Sequence, residues 1–308
     1  MSPAGIHHVT AIAGEARRNL DFYRRTLGLR LVKKTVNFDD PGTYHLYFGD
    51  AAGHPGTILT FFPWAHSAPG RIGIGEAQET VFRVPEAALG FWTQRFIQHG
   101  VRHETMKKRF GETVLTFQDP DGMRLALAAL PGIEREAAWQ SDVPAAEAIR
   151  GLHGVSLLVA EAAPTAAILT EVLGFREAGR DGSLVRYKAP GEGPGKVVDL
   201  HAAGDFLRGR LGKGSVHHVA FRATDDAEQA AIAAVLKERG IVPTEQKDRN
   251  YFRSIYFHEP GGVLFEIATD EPGFAVDEPA DALGEALKLP PFLERRRAAL
   301  EGVLPALD

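Results

Sequence analysis

Two pairs of adjacent histidines and one glutamate are the side chains in this sequence with the clearest capacity for chemistry. The pairs are His7-His8 and His217-His218, and the glutamate is Glu266, which lies within a run of apolar residues. A bare carboxylate is costly to bury in such a run, so Glu266 is expected to have a partner. Imidazole and carboxylate groups are common ligands of divalent transition metals. These residues are therefore candidate ligands of a metal ion.

Each candidate also has an ordinary explanation. Glu266 could be a glutamate on an edge strand that faces water. Neighbouring residues on a strand point to opposite faces, so one histidine of each pair could be a hydrogen-bonded core or surface residue. For any single histidine this ordinary explanation would be preferred, and only the combination of several candidates favours a metal site.

The composition excludes several classes of protein. The chain has 308 residues, with 35 Lys and Arg against 40 Asp and Glu and a formal net charge of −5. This balance argues against nucleic acid or an anionic membrane as the main partner. There is no cysteine, hence no disulfide, thiolate metal site or cysteine nucleophile, which suits the reducing cytoplasm. The sequence shows no signal-peptide pattern and no long apolar run, and we expect a cytoplasmic globular protein of about two domains.

Internal repeats determine the expected architecture. Gly5 precedes Gly28 by 23 residues, and Gly151 precedes Gly174 by the same 23 residues. The sequences after Gly5 and Gly151 also correspond, as Gly-Ile-His-His-Val and Gly-Leu-His-Gly-Val. The first part of the chain is therefore repeated in its second half.

A second repeat lies between the copies of the first. Gly100 precedes Pro120, and Gly240 precedes Pro260, in both cases by 20 residues. The chain thus consists of four modules in A-B-A-B order that begin near residues 5, 77, 151 and 214. Each module has the pattern of a strand, a helix and three further strands, with a glycine where a left-handed helix C-cap belongs.

Four βαβββ modules in one chain resemble the vicinal oxygen chelate superfamily, which includes glyoxalase I, bleomycin-resistance proteins and extradiol dioxygenases. The resemblance implies an α+β fold in which the modules pair into two open-barrel, glyoxalase-like units, with one metal in a barrel. We expect an N-terminal half at 1–135, a linker at 136–150, a C-terminal half at 151–270 and a tail at 271–308. The tail is predicted to contain a helix over 292–300.

The repeat positions favour one metal site instead of two. His8 of module one corresponds to Gly154 of module three, and Glu266 of module four corresponds to Ala126 of module two. Module two has a Gln-Glu pair at 78–79 opposite the histidine pair of module four, and the repeat does not settle which of the two matches the second histidine. The sequence predicts a single site made by modules one and four.

Two imidazoles and one carboxylate on three strands form a facial triad with open coordination positions. This arrangement suits non-haem Fe(II) and leaves room for a substrate and O₂ together. Ligation by nitrogen and oxygen alone would also accept Mn(II), Zn(II) or Ni(II). Fe(II) is therefore the expected cofactor, with the other ions as substitutes.

Longer strings of the sequence resemble the hydroquinone-type ring-cleaving dioxygenases, which open para-diphenols. The matching strings are 7–10, 44–50 followed by 55–57, 249–252 and 260–266. In that branch the second histidine of each pair and the strand glutamate hold Fe(II). The resemblance therefore implies that His8, His218 and Glu266 are the metal ligands here.

The same resemblance implies which residues surround the substrate. They are His7, Thr10, His217, Arg249 and Tyr256. His217 or Tyr256 would accept or donate a proton, and Arg249 would steady the developing negative charge. Thr10 is two residues beyond His8 and so faces the same side of its strand. Without the resemblance, Tyr256 could be an ordinary sheet aromatic and Arg249 a solvated loop charge.

One departure from the wider family concerns an acid–base histidine. Catechol-cleaving relatives usually place such a histidine shortly before the hairpin that carries the tyrosine and the glutamate. Between His218 and Glu266 this sequence has only His258, at a turn, which favours hydroquinone over catechol. His45 is predicted to lie in a loop or at the surface, although it belongs to one of the matching strings. The expected protein is a ring-cleaving, extradiol-type dioxygenase that acts on a diphenol with O₂, and the resemblance also allows a homo-oligomer.

Two other functional classes remain open. A glyoxalase-type lyase or isomerase would need a fuller ligand set, with acidic residues from both paired modules. Ala126 does not supply one, although Glu15 or Asp50 of module one could. A metal-free protein that sequesters a ligand and so confers resistance is the second alternative. Such a protein would have no reason to keep the three candidate ligands together.

Overall fold

The computed structural model describes residues 5–307, and residues 1–4 and 308 lie outside the described part. The strands in chain order are β1 (Ile6–Ala13), β2 (Arg30–Val36), β3 (Tyr44–Gly49), β4 (Ile58–Pro63), β5 (Glu76–Pro85), β6 (Lys107–Arg109), β7 (Glu112–Gln118), β8 (Arg124–Leu130), β9 (Leu152–Val159), β10 (Arg176–Asp181), β11 (Leu184–Lys188), β12 (Val197–Ala202), β13 (Val216–Ala223), β14 (Lys247–Asp248), β15 (Arg253–His258) and β16 (Leu264–Thr269). The α-helices are α1 (Ala16–Asp21), α2 (Leu89–Gln98), α3 (Ala162–Glu171), α4 (Asp226–Glu238) and α5 (Arg297–Val303). Helix α1 continues as a π-helical turn over Phe22–Thr26. Within residues 5–307, every helix is too short or too polar to cross a bilayer.

The strands form two eight-stranded sheets, and each sheet combines one module from each half of the chain. Sheet one has the order β14-β15-β16-β13-β1-β4-β3-β2 and contains modules one and four. Sheet two has the order β10-β11-β12-β9-β5-β8-β7-β6 and contains modules two and three. The predicted α+β fold, with four βαβββ modules in two glyoxalase-like units, is confirmed. The division of the chain into halves at 1–135 and 151–270 runs across this pairing and stays a prediction.

Four glycines end the module helices as the sequence predicts. The φ angles of Gly28, Gly100, Gly174 and Gly240 are +69°, +64°, +72° and +76°. Glycine adopts this left-handed conformation without a steric penalty, so the chain can leave each helix and enter the next strand directly. The repeated spacing in the sequence therefore reflects a repeated backbone turn.

Two β-bulges lie where the modules of sheet one meet. The antiparallel register of β1 against β13 shifts at His7, an extra residue on β1, and again at His217, an extra residue on β13. Sheet two has corresponding shifts between β5 and β9 at Gln78 and His153. A bulge re-aims side chains and interrupts their alternation, so two adjacent residues can point to the same side.

Apolar side chains from both sheets and from the four modules share one core. Tyr23, Trp92, Leu169 and Leu236, one from the helical segment of each module, belong to it and are fully buried. Burial of such a side chain stabilises the fold by about 1.5–3 kcal/mol. This shared core fixes the positions of the strands that carry the candidate ligands.

The C-terminal tail packs against module one. A 3₁₀ segment over Pro291–Arg296 precedes α5, where the sequence predicts one helix over 292–300. The backbone N–H of Leu293 donates to the carbonyl of Pro290 at 2.9 Å, the three-residue spacing of a 3₁₀ turn. The α-helical pattern begins only at Arg297, so only the second part of the predicted helix is an α-helix. Four leucines of the tail pack in one apolar cluster with Val36 of β2: Leu289, Leu293, Leu300 and Leu304.

Candidate metal centre

Three potential ligand atoms from three strands converge within sheet one. Nε2 of His8 lies 3.4 Å from Oε2 of Glu266, and Nε2 of His218 lies 2.9 Å from the same oxygen. The two Nε2 atoms are 3.4 Å apart. All three side chains are buried. Within the described residues this is the only cluster of three or more His, Asp or Glu side chains arranged to hold a metal ion.

The triangle of ligand atoms has the dimensions of one face of an octahedral metal site. Metal bonds of about 2.1 Å at right angles place neighbouring ligand atoms roughly 3 Å apart. Oε2 of Glu266 is buried and forms no hydrogen bond among the described residues, although two imidazoles lie beside it. A buried carboxylate oxygen without a partner is costly, and a divalent cation between the three atoms would compensate for that cost. The residues present therefore fit a divalent metal ion.

The register of sheet one brings the three ligands together. His8 on β1 pairs with Ala220 on β13, and Ala220 pairs with Glu266 on β16. His218 pairs with Thr10 across the same β1–β13 junction. The candidate ligands thus lie on three adjacent strands within two residues of one another, although 258 positions separate His8 from Glu266 in the chain.

The first histidine of each pair supports the ring of the second. The Nδ1 atoms of His7 and His8 are 2.9 Å apart, and those of His217 and His218 are also 2.9 Å apart. The usual alternation of strand side chains does not apply here because a bulge lies at the first histidine of each pair. A histidine that binds a metal through Nε2 keeps its proton on Nδ1. The first histidines can accept hydrogen bonds from those protons and so fix the orientation of both ligand rings.

Ser254 orients the carboxylate of Glu266, and sequence analysis missed it. Its hydroxyl donates a hydrogen bond to Oε1 of Glu266 at 2.5 Å, which leaves Oε2 facing the two histidines. Tyr256 pairs directly with Glu266 in the register of β15 and β16. Ser254 is two residues before Tyr256 and therefore shares its face of the strand. That spacing was the signal available in the sequence.

A cavity of about 360 Å³ lies beside the candidate ligands. Its volume is at the lower end of the range for small-molecule sites. Besides the three ligands, its lining residues all come from modules one and four: Asn37, Phe38, Asp39, Asp40, His45, Tyr47, Phe62, Trp64, His217, Thr244, Lys247, Arg249, Phe252, Tyr256 and Leu264. The lining combines aromatic rings with polar and charged groups, and this combination suits a small aromatic ligand that carries polar substituents.

Of the five residues predicted to surround the substrate, the cavity is lined by His217, Arg249 and Tyr256. His7 and Thr10 are buried outside this lining. His7 contacts the ring of His8 from behind, and the hydroxyl of Thr10 lies 2.9 Å from that of Thr60. The structure therefore brings three of the five to the cavity and places two behind it.

Arg249 and Tyr256 form one polar wall of the cavity. Nε of Arg249 donates a hydrogen bond to the hydroxyl of Tyr256 at 3.2 Å, and Nη2 donates to Asp39 at 2.9 Å. The ring centres of Tyr256 and His218 are 5.6 Å apart. Through the hydrogen bond between Arg249 and Asp39, this wall links module four to the β2–β3 loop of module one. Nothing in the sequence indicated that Asp39 would contact Arg249.

His45 lies in the cavity wall, where the sequence predicts a loop or surface position. Its Nε2 is 2.8 Å from the hydroxyl of Thr60, and its Nδ1 is 2.8 Å from the hydroxyl of Tyr47. Its ring lies 4.4 Å from that of Phe62. Because both ring nitrogens have partners, His45 acts as a wall and not as a metal ligand. Its place in the string 44–50 was the signal that its position matters.

Burial and the neighbouring charges determine the protonation of the site. Burial lowers the pKa of His217 to about 3, so this ring is neutral at pH 7. Burial alone would raise the pKa of Glu266, but the adjacent rings of His8 and His218 hold it well below its ordinary value. Burial and the charge of Glu266 raise the pKa of Tyr256, which therefore keeps its proton. The site therefore combines the anionic carboxylate of Glu266 with the neutral ring of His217 and the protonated hydroxyl of Tyr256, beside the guanidinium group of Arg249.

Sheet two has a cavity at the corresponding place but lacks the ligands. When the strand pairings of the two sheets are compared, Gly154 corresponds to His8, Glu79 to His218 and Ala126 to Glu266. The bulge at Gln78 thus answers the question that the repeat left open, because Glu79 is the residue that matches the second histidine. Both carboxylate oxygens of Glu79 accept hydrogen bonds from Arg109.

A family-level comparison covers both halves of the chain. The family model described as Glyoxalase/Bleomycin resistance protein/Dioxygenase superfamily matches residues 5–127 and 151–267. These two matches end at the last strand of module two and of module four, in agreement with the repeat.

Individual relatives are similar over nearly the whole chain. The protein named "Putative ring-cleaving dioxygenase MhqO" of Bacillus subtilis strain 168 is 46% identical over 302 residues, which cover 98% of this chain and 96% of the relative. The chlorohydroquinone/hydroquinone 1,2-dioxygenase of Sphingobium indicum is 35% identical over 297 residues, covering 94% of this chain and 92% of the relative. A crystal structure from Bacillus subtilis subsp. subtilis strain 168 has a TM-score of 0.95 at 45% identity, covering 99% of this chain and 97% of that one.

Proposed function

Because the chain belongs to the glyoxalase/bleomycin resistance protein/dioxygenase superfamily, we propose that it is a ring-cleaving dioxygenase that uses Fe(II) to insert O₂ into a hydroquinone-type diphenol. The observation that carries the proposal is the buried triangle of His8, His218 and Glu266 at the base of an aromatic cavity. The relatives named as ring-cleaving and hydroquinone dioxygenases support the same reaction class. The proposal includes the position of cleavage, which is the ring bond between a hydroxyl-bearing carbon and its neighbour.

The ligand set favours Fe(II) among the divalent metals. Two imidazoles and one carboxylate on one face of the metal are the ligand pattern of non-haem Fe(II) oxygenases. Bound there, Fe(II) would bring a phenolate oxygen and O₂ together and move electrons from the ring to oxygen. Mn(II), Zn(II) and Ni(II) fit the same ligands and would be bound substitutes.

His217 is assigned as a hydrogen-bond donor to the substrate. If His218 binds the metal through Nε2, its Nδ1 proton is donated to Nδ1 of His217. The neutral ring of His217 then keeps its own proton on Nε2, and His217 lines the cavity. Its N–H can thus stabilise negative charge on a substrate oxygen.

Arg249 and Tyr256 supply further stabilisation of negative charge. The guanidinium group of Arg249 donates to the hydroxyl of Tyr256, which leaves the Tyr256 proton free to be donated into the cavity. The raised pKa of Tyr256 keeps that proton in place at pH 7. His7 and Thr10 act from behind, His7 by holding the ring of His8 and Thr10 through its contact with Thr60.

The position of His258 supports hydroquinone over catechol as the substrate. Its side chain is exposed, its Nδ1 lies 3.2 Å from the carbonyl oxygen of Gly262, and it does not line the cavity. It therefore cannot serve as the acid–base histidine that a catechol-cleaving enzyme would use. The polar wall offers an arginine and a tyrosine in its place.

The glyoxalase-type alternative lacks a ligand in this structure. Modules one and four are related by an approximate twofold axis, which places Thr60 on β4 where Glu266 lies on β16. A second carboxylate from the paired module would have to stand at Thr60. Asp50, one of the acids considered for that role, instead accepts hydrogen bonds from His54 and its neighbouring backbone. The residues present fit the three-ligand dioxygenase site better.

The test is oxygen uptake by protein loaded anaerobically with Fe(II), measured separately with hydroquinone and with catechol. We expect uptake with hydroquinone, together with a new ring-opened chromophore. Glu266→Gln removes the anionic ligand and should lower kcat by about a thousandfold or more, since removal of one charge-stabilising group at a reacting centre costs about that much. Glu79→Gln in sheet two is the matched control and should retain kcat within about twofold, because Glu79 lies in the other sheet and does not line the cavity beside the candidate ligands.

Three results would count against the proposal or a part of it. Stoichiometric bound iron without oxygen uptake on either diphenol would overturn the dioxygenase assignment. Uptake that survives Glu266→Gln unchanged would overturn the assignment of the site. Faster uptake with catechol than with hydroquinone would keep the reaction class and overturn the substrate.

A further inference from the structure

The turn that carries Arg249 into the cavity is held from outside the cavity by the C-terminal tail. The backbone N–H of Arg249 donates to the carbonyl of Phe252 at 2.9 Å, which closes the turn, and Asn250 within it has a left-handed φ of +67°. Arg249 and Phe252 both line the cavity, whereas the side chains of Asn250 and Tyr251 reach a residue of the tail. The turn thus has one side towards the metal centre and one side towards the tail.

That tail residue is Asp277, whose carboxylate is shared by three donors. Its Oδ2 accepts hydrogen bonds from the hydroxyl of Tyr251 at 3.0 Å and from Nδ2 of Asn250 at 3.3 Å. Its Oδ1 accepts a hydrogen bond from Nζ of Lys33 at 2.7 Å. Lys33 lies on β2, is fully buried and places its ammonium group 5.0 Å from the ring of Tyr251. One carboxylate therefore connects the tail, module one and the turn of module four.

The other half of the turn contacts the metal centre directly. The ring of Phe252 lies 5.0 Å from that of His8 and 5.2 Å from that of His7. Arg249 contacts Tyr256, which lies opposite Glu266 in the sheet. A shift of the turn would consequently move both a wall of the cavity and the donor to Tyr256.

We propose that Asp277, outside both sheets, is a positioning residue for the reaction that holds the 249–252 turn so that Arg249 and Phe252 face the metal centre. This proposal rests on the proposed function for its effect on turnover. Asp277 itself does not line the cavity, so its effect on the reaction would come only through the turn. Lys33 donates to Oδ1 of Asp277 and the two donors of the turn share Oδ2, so the charge and both oxygens are needed.

Glu278 provides a matched control because it shares one partner with Asp277 but not the others. It accepts a hydrogen bond from Lys33 at 2.7 Å and from the backbone N–H groups of Gly284 and Ala286. These contacts anchor the tail without touching the turn. A role in tail anchoring would therefore be shared by the two residues, and a role in positioning the turn would belong to Asp277 alone.

The experiment compares Asp277→Asn, Tyr251→Phe and Glu278→Gln with the wild type in the full-length protein. An amide in place of the Asp277 carboxylate cannot accept from both Lys33 and Asn250. Tyr251→Phe removes only the hydroxyl. We expect Asp277→Asn to lower kcat by about 10- to 100-fold with a small change in KM, because misplacement of a catalytic group by about 1 Å costs up to 100-fold. Tyr251→Phe should lower kcat in the same direction by less, and Glu278→Gln should keep kcat within about twofold of the wild type.

Amide hydrogen exchange of the segment 247–256 provides a readout that does not depend on turnover. Exchange at the 249–252 turn should accelerate by about tenfold or more in Asp277→Asn and stay at the wild-type rate in Glu278→Gln. Equal losses of kcat in Asp277→Asn and Glu278→Gln would overturn the proposal, as would unchanged exchange and unchanged kcat in Asp277→Asn. If the wild type itself takes up no oxygen, the proposed function fails, and the exchange rates still decide whether Asp277 holds the turn.

Discussion

The two sheets share one strand order and a corresponding pair of bulges, yet among the described residues only sheet one has a side-chain cluster that could hold a metal ion. In sheet two the three ligand positions are occupied by Gly154, Glu79 and Ala126. Its cavity, at about 560 Å³, is larger than the cavity of about 360 Å³ in sheet one. The fold therefore supplies a cavity twice, and three side chains decide which cavity can hold a metal.

Sheet two also has no room for a side chain at one of the three ligand positions. A β-carbon at Gly154 would overlap the backbone oxygen of Val197 on the neighbouring strand β12. The guanidinium group of Arg109 pairs with Glu79, so a side-chain cation neutralises the one acidic group at the three ligand positions of sheet two. Sheet two therefore lacks the histidines and the glutamate of sheet one, and its backbone leaves no room for a side chain at the position that corresponds to His8.

Each sheet contains a buried glutamate, and the pKa values of the two glutamates are shifted in opposite directions. In sheet one, His8 and His218 hold the pKa of Glu266 well below its ordinary value despite its burial. At the start of sheet two, Glu76 is buried, its Oε2 has no hydrogen-bond partner among the described residues, and burial raises its pKa to about 7. Partners therefore decide whether burial favours the charged or the neutral acid.

Outside the candidate metal site, Gly154→Ala is the substitution expected to have the largest effect on stability, because it tests whether sheet two has room for a side chain at this position. The new methyl group collides with the backbone of β12, so we expect a loss of about 1–3 kcal/mol in the free energy of unfolding. Urea unfolding measures it. Gly90→Ala in α2 is the matched control, because nothing lies within 4 Å of a β-carbon there. Equal unfolding midpoints for the two variants would show that sheet two has room for a side chain at Gly154.

A smaller effect is expected from Glu76→Gln, and it should depend on pH. The folded pKa of Glu76 is raised from 4.5 to about 7, so its contribution to stability is fully present below pH 4.5 and is lost as pH rises through 7. Glutamine does not ionise, so the variant does not lose stability in this way. The free energy of unfolding of the variant minus that of the wild type should therefore increase by about 1–2 kcal/mol between pH 5 and pH 8. Unfolding free energies at the two pH values test this, with exposed Glu86→Gln as the control. A pH-independent difference would refute the raised pKa.

Features set by local sequence were predictable, and features set by contacts between distant segments were not. The four modules and their helix ends follow from apolar periodicity and from glycines such as Gly28 and Gly240, which the structure confirms. The candidate ligands were implied by family resemblance, and the structure brings His8, His218 and Glu266 together. Their roles stay predictions until a metal is located.

The missed parts of the site depend on strand geometry and on the tail. The bulges at His7 and His217 turn adjacent histidines to one side, and nothing in the sequence marks a bulge. Ser254 could have been found from its spacing to Tyr256 on β15. Asp277 could not, because its partners come from β2, from the turn before β15 and from a tail without periodicity.

The central claim is that three side chains of sheet one, and not the shared fold, create the metal site. Anomalous diffraction at the iron absorption edge, from crystals loaded anaerobically with Fe(II), tests this directly. The account predicts one strong peak per chain, bounded by Nε2 of His8, Nε2 of His218 and Oε2 of Glu266. A peak beside Glu79 in sheet two, two peaks of equal height, or no peak at the triangle would contradict it.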